Sequence, residues 1–60
     1  MKAYVYNVET NEIVVVIEGE NNDQCEAKAA ELNYMGTDEY GLTYSDNELI
    51  RTEWTEEVAA

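Results

Sequence analysis

Carboxylates are the most numerous side chains in this sequence that could do chemistry, because Asp and Glu occupy 14 of its 60 positions. Two paired carboxylates can act as general acid and base, provided that a pocket separates their pKa values. A chain of this length has little room for such a pocket, and fourteen acids form close pairs by chance. The glycine-rich signatures of nucleotide-binding and hydrolase sites are also missing. We therefore expect a protein that is not an enzyme and has no catalytic residue.

Cys25 is the one thiol of the chain, and no His accompanies it. A Ser or Cys nucleophile normally needs a neighbouring base, most often His. Cys25 falls on the apolar stripe of an expected helix, so we interpret it as a buried structural side chain. The alternative, a thiol whose pKa is lowered near a helix N-terminus, stays open. A single Cys also cannot form an internal disulfide, which fits a reducing compartment.

Oxygen-rich stretches raise the possibility of a site for Ca²⁺ or Mg²⁺, because these cations prefer carboxylate ligands. Residues 18–23 and 46–48 are such stretches, but neither has the acid and glycine spacing of an EF-hand loop. Zinc would have one thiol and no imidazole to use. We expect no metal site and no cofactor.

The elements that must position these side chains begin with a β-hairpin. Residues 2–8 alternate in the way that is typical of a strand. Residues 9–12 interrupt the apolar pattern, and Asn11 adopts a left-handed backbone at low cost, so a turn is expected there. Residues 13–17 are apolar on both faces, which predicts a strand that is central in the sheet or covered on both sides.

A helix is expected to follow this hairpin. The polar residues 21–23 are good helix caps, and Asp23 has the spacing of a capping box to Glu26. Asn33 or Gly36 can end the helix in a left-handed conformation. One narrow apolar stripe recurs at helical spacing and should face the sheet: Cys25, Ala29 and Leu32.

The rest of the chain predicts a second hairpin. Residues 40–45 alternate as a third strand, residues 45–48 are rich in turn formers, and residues 49–54 alternate as a fourth strand. Residues 55–60 form an acidic tail that is expected to fray. The predicted organisation is therefore one compact domain over residues 1–54 followed by this tail.

Two hairpins around one helix define an α+β fold with the order ββαββ, in which a four-stranded, mainly antiparallel sheet carries the helix on one face. The opposite face is expected to lie open to water or to a partner, and tyrosine side chains suit either environment. The sequence has no apolar run that could span a membrane and no signal peptide. We expect a cytoplasmic protein with no membrane contact.

A formal net charge of -11 is the strongest functional feature of the sequence. Three basic residues are too few for the counterion release that drives binding to nucleic acid, so direct nucleic-acid binding is not expected. Two explanations of the charge stay open. In the first, the acids provide solubility and discourage pairing of sheet edges. In the second, they attract a basic partner and occupy a site meant for nucleic acid.

In length, acidity and tyrosine-rich sheet, the whole chain resembles the small acidic inhibitors of phages and other mobile elements, which include DNA-mimic proteins and anti-CRISPR proteins. The resemblance is one of class and is not carried by a motif. It implies a noncatalytic inhibitor that binds a basic nuclease or another nucleic-acid-binding complex and blocks its DNA or RNA path.

The residues expected to contact such a partner are acids in the turns and outer strands, together with aromatic anchors, since aromatics are enriched among binding hot spots. They are Glu18, Glu20, Asp38, Glu39, Asp46, Glu48, Glu53, Tyr40, Tyr44 and Trp54. The alternative function is a small homo-oligomeric assembly protein, in which the open sheet face pairs with a copy of itself and the charge serves solubility only. Both a monomer and a homodimer fit the sequence.

Overall fold

The computed structural model describes residues 1–59. Its elements are strands β1 (Lys2–Asn7) and β2 (Ile13–Glu18), helix α1 (Asn22–Glu31), and strands β3 (Tyr40–Thr43) and β4 (Thr55–Val58). They form one sheet in the order β3-β1-β2-β4. Strand β1 is antiparallel to both β2 and β3, whereas β4 is parallel to β2. The predicted α+β fold, with one helix and a mainly antiparallel four-stranded sheet, is confirmed.

The hairpin between β1 and β2 is closed by Asn side chains and backbone hydrogen bonds. The Glu9 N–H donates to Asn7 Oδ1 at 2.9 Å. The Asn7 N–H donates to the Glu12 carbonyl at 2.9 Å. Asn11 has a φ of 58°, the left-handed conformation expected for it. The predicted turn is therefore present, and Asn11 is the residue that allows it.

Strand β2 contains a β-bulge, which shifts its pairing with β1 by one residue. Val5 of β1 lies opposite Val15, and the next residue, Tyr6, lies opposite Ile13, so Val14 is an extra residue on β2. Such a bulge bends the strand and increases its twist. The strand is central and its apolar run is buried on both faces, as the sequence predicts.

The main core lies between α1 and one face of the sheet. It consists of the buried side chains Ala3, Val5, Val15, Ile17, Cys25 and Ala29. The predicted burial of Cys25 and Ala29 is confirmed, while Leu32, at the end of the same stripe, is half-buried. Small side chains on this stripe, Cys25 and Ala29, allow the helix to approach the sheet closely.

The helix begins after Asn21, the first of the three residues expected to cap it, but the capping pair differs from the expected one. Asn21 is the N-cap, and its Oδ1 accepts a hydrogen bond from the Gln24 N–H at 2.9 Å. The Gln24 side chain in turn accepts from the Glu20 N–H at 2.9 Å. The capping pair is therefore Asn21 with Gln24, and the expected pair of Asp23 with Glu26 is wrong because the helix starts two residues earlier than that pair requires.

The helix ends in a Schellman motif at Asn33. Asn33 has a φ of 66°, so it takes the left-handed position that closes the helix. Its N–H donates to the Ala30 carbonyl at 3.0 Å, and the Tyr34 N–H donates to the Ala29 carbonyl at 2.9 Å. Of the two residues that the sequence offered for this role, Asn33 ends the helix.

The fourth strand lies elsewhere than predicted. Residues 49–54 do not pair with β3 in a hairpin, because β4 begins at Thr55 and lies on the opposite edge of the sheet. The segment that was expected to fray thus supplies an edge strand through Val58, and only the frayed end expected at residue 60 lies outside the described residues. The alternation in residues 49–54 has a different origin.

Residues 50–55 make an interrupted parallel pairing with β2. Ile50 forms an isolated parallel bridge to Glu12, and pairing resumes between Thr55 and Val15. Five residue steps on one strand thus correspond to three on the other, so two residues loop out and the alternation does not continue as a ladder.

Residues 44–54 cross the sheet from β3 to β4 on the face opposite α1. Strands β2, β3 and β4 all run in the same direction, and the connections β2 to β3 and β3 to β4 move in opposite directions along the sheet. Two such crossovers of the same hand pass over opposite faces. The end of this segment also pairs with the edge of β2, since the Ile13 N–H donates to the Ile50 carbonyl at 3.1 Å and the Ile13 carbonyl accepts from Thr52 Oγ1 at 2.6 Å. Ile13 and Val16 are 0% and 2% exposed although they lie outside the core against the helix. The second face is therefore partly covered, and not fully open as expected.

Candidate protein-binding surface

The acids expected to contact a partner do not form one patch. Glu18 and Glu20 lie where β2 leads into α1. Asp38 and Glu39 lie at the opposite end of the sheet, where the Val8 N–H donates to the Glu39 carbonyl at 3.0 Å. A strand of this length separates the two ends by about 17–20 Å. A partner must therefore either contact one end or surround the protein.

Three further predicted acids lie on the segment that crosses the sheet. Asp46 forms an ion pair with Arg51, so its charge is already partnered. Glu48 is exposed and lines an open groove of about 390 Å³ together with Tyr6. Glu53 is exposed beside Trp54. Of the three acids, Glu48 and Glu53 therefore remain available to a partner.

The predicted aromatic anchors differ in how much surface they offer. Tyr40 is half-buried, packs against the core on the helix side, and meets Tyr34 edge to face with ring centroids 4.9 Å apart. Trp54 is half-buried beside Val14. Tyr44 is 38% exposed. Tyr44 is therefore the anchor that a partner can reach most easily.

Tyr44 lies within the electrostatic field of the first turns of α1. Desolvation raises the pKa of the Tyr44 phenol above 10.0 and is the largest cause. Charge interactions raise this pKa further, first with Glu26, then with Cys25 and then with Asp23. Asp23 and Glu26 were not expected at a binding surface, since their sequence positions suggested only a helix cap. Their proximity to Tyr44 follows from the packing of α1 across the sheet, which no local pattern reveals.

The basic side chains of the described residues are all engaged in ion pairs. Lys2 pairs with Glu56 at 3.7 Å, and Lys28 pairs with Glu31 at 3.6 Å. Arg51 pairs with Asp46. The terminal amine pairs with Glu18 at 3.5 Å, so four of the 14 acids have a cationic partner within residues 1–59 and ten have none. The uncompensated charge is therefore distributed over much of the surface.

None of the polar or charged residues within 1–59 is buried as a whole, so the carboxylates lie at the surface, although Glu18 Oε2 is itself enclosed. The same residues contain no group of three His, Cys, Asp or Glu side chains placed to hold a metal ion. In this part of the chain, no helix is long and apolar enough to cross a membrane.

No family model, no curated protein and no solved structure matches the chain. Its fold and charge therefore define it as a small acidic α+β protein.

Proposed function

We propose that this protein is a noncatalytic inhibitor that binds a basic nuclease or another nucleic-acid-binding complex and presents acidic surface in place of DNA or RNA. The imbalance of charge carries this proposal: three basic side chains are all paired, whereas ten acids have no ion-pair partner within residues 1–59. A field of one sign around so small a body attracts basic partners and accelerates their association.

The distribution of the acids favours a cleft as the surface that is bound. Acids lie at both ends of the sheet, so a flat basic surface would contact only some of them. A cleft lined by Lys and Arg on both walls, as in a nucleic-acid channel, would contact both ends at once. The protein measures 28 × 21 × 16 Å, which suits insertion into such a channel.

The assembly alternative has less support. It requires the face opposite α1 to be free for pairing with a second copy, and residues 44–54 cover part of that face. A charge of -11 on each copy also opposes association at low salt. We therefore favour a basic partner, and a monomeric inhibitor is the simplest form of the proposal.

The test is capture of partners from a nuclease-rich bacterial lysate on the immobilised protein, followed by elution with DNA or RNA and, separately, with increasing salt. We expect basic nucleic-acid-binding proteins, identified by mass spectrometry, to be released by nucleic acid and weakened by salt. Partners that nucleic acid does not displace, or that stay bound equally well at high salt, would contradict the proposal.

A matched pair of variants sharpens this test. One variant neutralises three acids without an ion pair: Glu20→Gln, Asp38→Asn and Glu39→Gln. The other neutralises three acids that are already paired: Glu18→Gln, Glu31→Gln and Asp46→Asn. Both change the net charge equally, and we expect the first to lose more binding because its acids are free to meet the partner.

A further inference from the structure

The outer edge of β4 is an uncovered sheet edge. Within residues 1–59, strand β4 is the last in the order β3-β1-β2-β4 and pairs only with β2. Val58 on this strand is 72% exposed, the largest exposed fraction among the large hydrophobic side chains of the described residues. An edge strand presents unpaired backbone donors and acceptors that can pair with another chain.

The residues whose backbone groups point outward follow from the pairing with β2. The Ala59 N–H donates to the Glu18 carbonyl at 2.8 Å, so Ala59 and alternate residues before it face β2. Backbone groups alternate in direction along a strand. The N–H and C=O groups of Glu56 and Val58 therefore point away from the sheet and are available to an added strand.

The charges of β4 distinguish between possible occupants. Strand β4 carries two adjacent acids, Glu56 and Glu57, whereas β3, at the other edge, has no charged residue. Like charges placed opposite each other destabilise a strand pair, so a second copy of β4 is disfavoured. Opposite charges stabilise the pair, so an incoming strand with Lys or Arg is favoured.

We propose that the β4 edge binds an extended Lys- or Arg-rich segment of the partner by strand addition. Backbone hydrogen bonds to Glu56 and Val58 hold the segment, and the carboxylate of Glu57, which has no ion-pair partner within residues 1–59, selects its basic side chains. This inference rests on the proposed function for the basic nature of the partner, and it adds the place and the mode of contact.

The experiment uses a capped peptide of about eight residues that alternates Lys and Val, which is an ordinary strand length. Its control is the same sequence with every backbone nitrogen methylated, which keeps the charge but leaves neither edge of the peptide able to pair as a strand. We expect the unmethylated peptide to shift the amide resonances of Glu56 and Val58 and to protect these amides from hydrogen exchange, while the methylated peptide does not.

A pair of substitutions at Val58 separates backbone pairing from charge. Val58→Pro removes an outward N–H without removing the inward hydrogen bond of Ala59, and proline is tolerated on edge strands. Val58→Thr keeps both the N–H and the branched side chain. We expect Val58→Pro to weaken peptide binding about tenfold and Val58→Thr to change it less than about twofold.

Four outcomes would each overturn the inference. The two peptides bind equally, or Val58→Pro leaves peptide binding unchanged. The amide shifts are confined to other parts of the sheet, or sedimentation shows that β4 pairs with a second copy of itself. The methylated peptide keeps the test decisive even if Val58→Pro fails to fold. Strand addition without any captured partner that nucleic acid displaces would contradict the proposed function and leave this inference standing. Capture of such a partner without strand addition at β4 would contradict this inference and support the proposed function.

Discussion

Residues 1–33 and residues 34–59 contribute to this fold in different ways. Every buried side chain within the described part of the chain lies between Ala3 and Ala29. Residues 34–59 supply both edge strands and the segment that crosses the sheet, and their side chains are half-buried or exposed. The comparison shows that the first region makes the core and the second region makes most of the surface that a partner can reach.

The two regions also differ in how they are held. The first is joined by a local hairpin and a helix with caps at both ends. The second depends on pairing between residues far apart in sequence, such as Thr52 with Ile13. Regions with few buried apolar contacts open at lower free energy than the core. We therefore expect the binding surface to be the less stable part of the molecule.

The largest effect should come from the core of the first region. Ile17 is 0% exposed, so Ile17→Ala leaves a cavity and should lower the free energy of unfolding by about 2–5 kcal/mol. Leu42→Ala in the second region should cost about half as much, because Leu42 is only half-buried. Urea denaturation of both variants measures the difference. Equal losses would contradict the division of the molecule into two regions.

A smaller effect is expected where the second region is joined to the first. Thr52→Val removes the 2.6 Å hydrogen bond to the Ile13 carbonyl and should cost about 1–2 kcal/mol. Hydrogen exchange should accelerate in residues 50–58 and stay unchanged in β1. Thr55→Val, at an exposed site, is the control and should change stability by less than about 0.5 kcal/mol. Uniform acceleration in both regions would mean that the fold opens as one unit.

The helix cap provides a third comparison, inside the first region. Asn21→Ala removes the acceptor for the Gln24 N–H and should cost about 1 kcal/mol. Asn22→Ala changes the neighbouring residue, which is exposed and is the first residue of α1, and should cost less than about 0.5 kcal/mol. Thermal unfolding followed by circular dichroism measures both. If the two variants lose the same stability, Asn21 is not the cap.

The two regions were also unequally predictable from sequence. The hairpin, its turn at Asn11 and the buried stripe of α1 depend on neighbours in the chain, so composition and spacing indicate them. The position of β4 depends on a parallel pairing between Thr55 and Val15, forty residues apart. Alternation marks a segment as extended but does not identify its partner strand, so residues 49–54 were assigned to a hairpin that does not form.

The binding surface was predictable in kind and not in arrangement. Sequence indicates that the acids are exposed, because so many carboxylates cannot be buried in so short a chain. It does not indicate that Glu18 and Asp38 lie at opposite ends of the sheet, or that the charges of Asp23 and Glu26 raise the pKa of Tyr44. Those relations are set by the crossing of α1 and of residues 44–54 over the two faces.

The smallest effect concerns Tyr44, where the two regions meet. Desolvation, and then the charge of Glu26, raises the pKa of Tyr44 above 10.0. The native state therefore holds the phenol proton more tightly than the unfolded chain. The stabilisation is complete below pH 10.0 and is lost as the pH rises through the raised pKa. Stability should thus fall in alkali, and Tyr44→Phe should remove this part of the pH dependence.

A charge substitution on α1 tests the cause of that shift. Glu26→Gln should lower the pKa of Tyr44 towards its ordinary value, because it removes the charge that acts most strongly on the phenol. Glu31→Gln, at the far end of the same helix, should leave the pKa unchanged. Phenolate absorbance, with Tyr44→Phe to assign the signal, measures both. If the pKa of Tyr44 shifts equally in the two variants, it depends only on the net charge of the protein. Helix α1 would then not contribute a local acidic surface beside Tyr44.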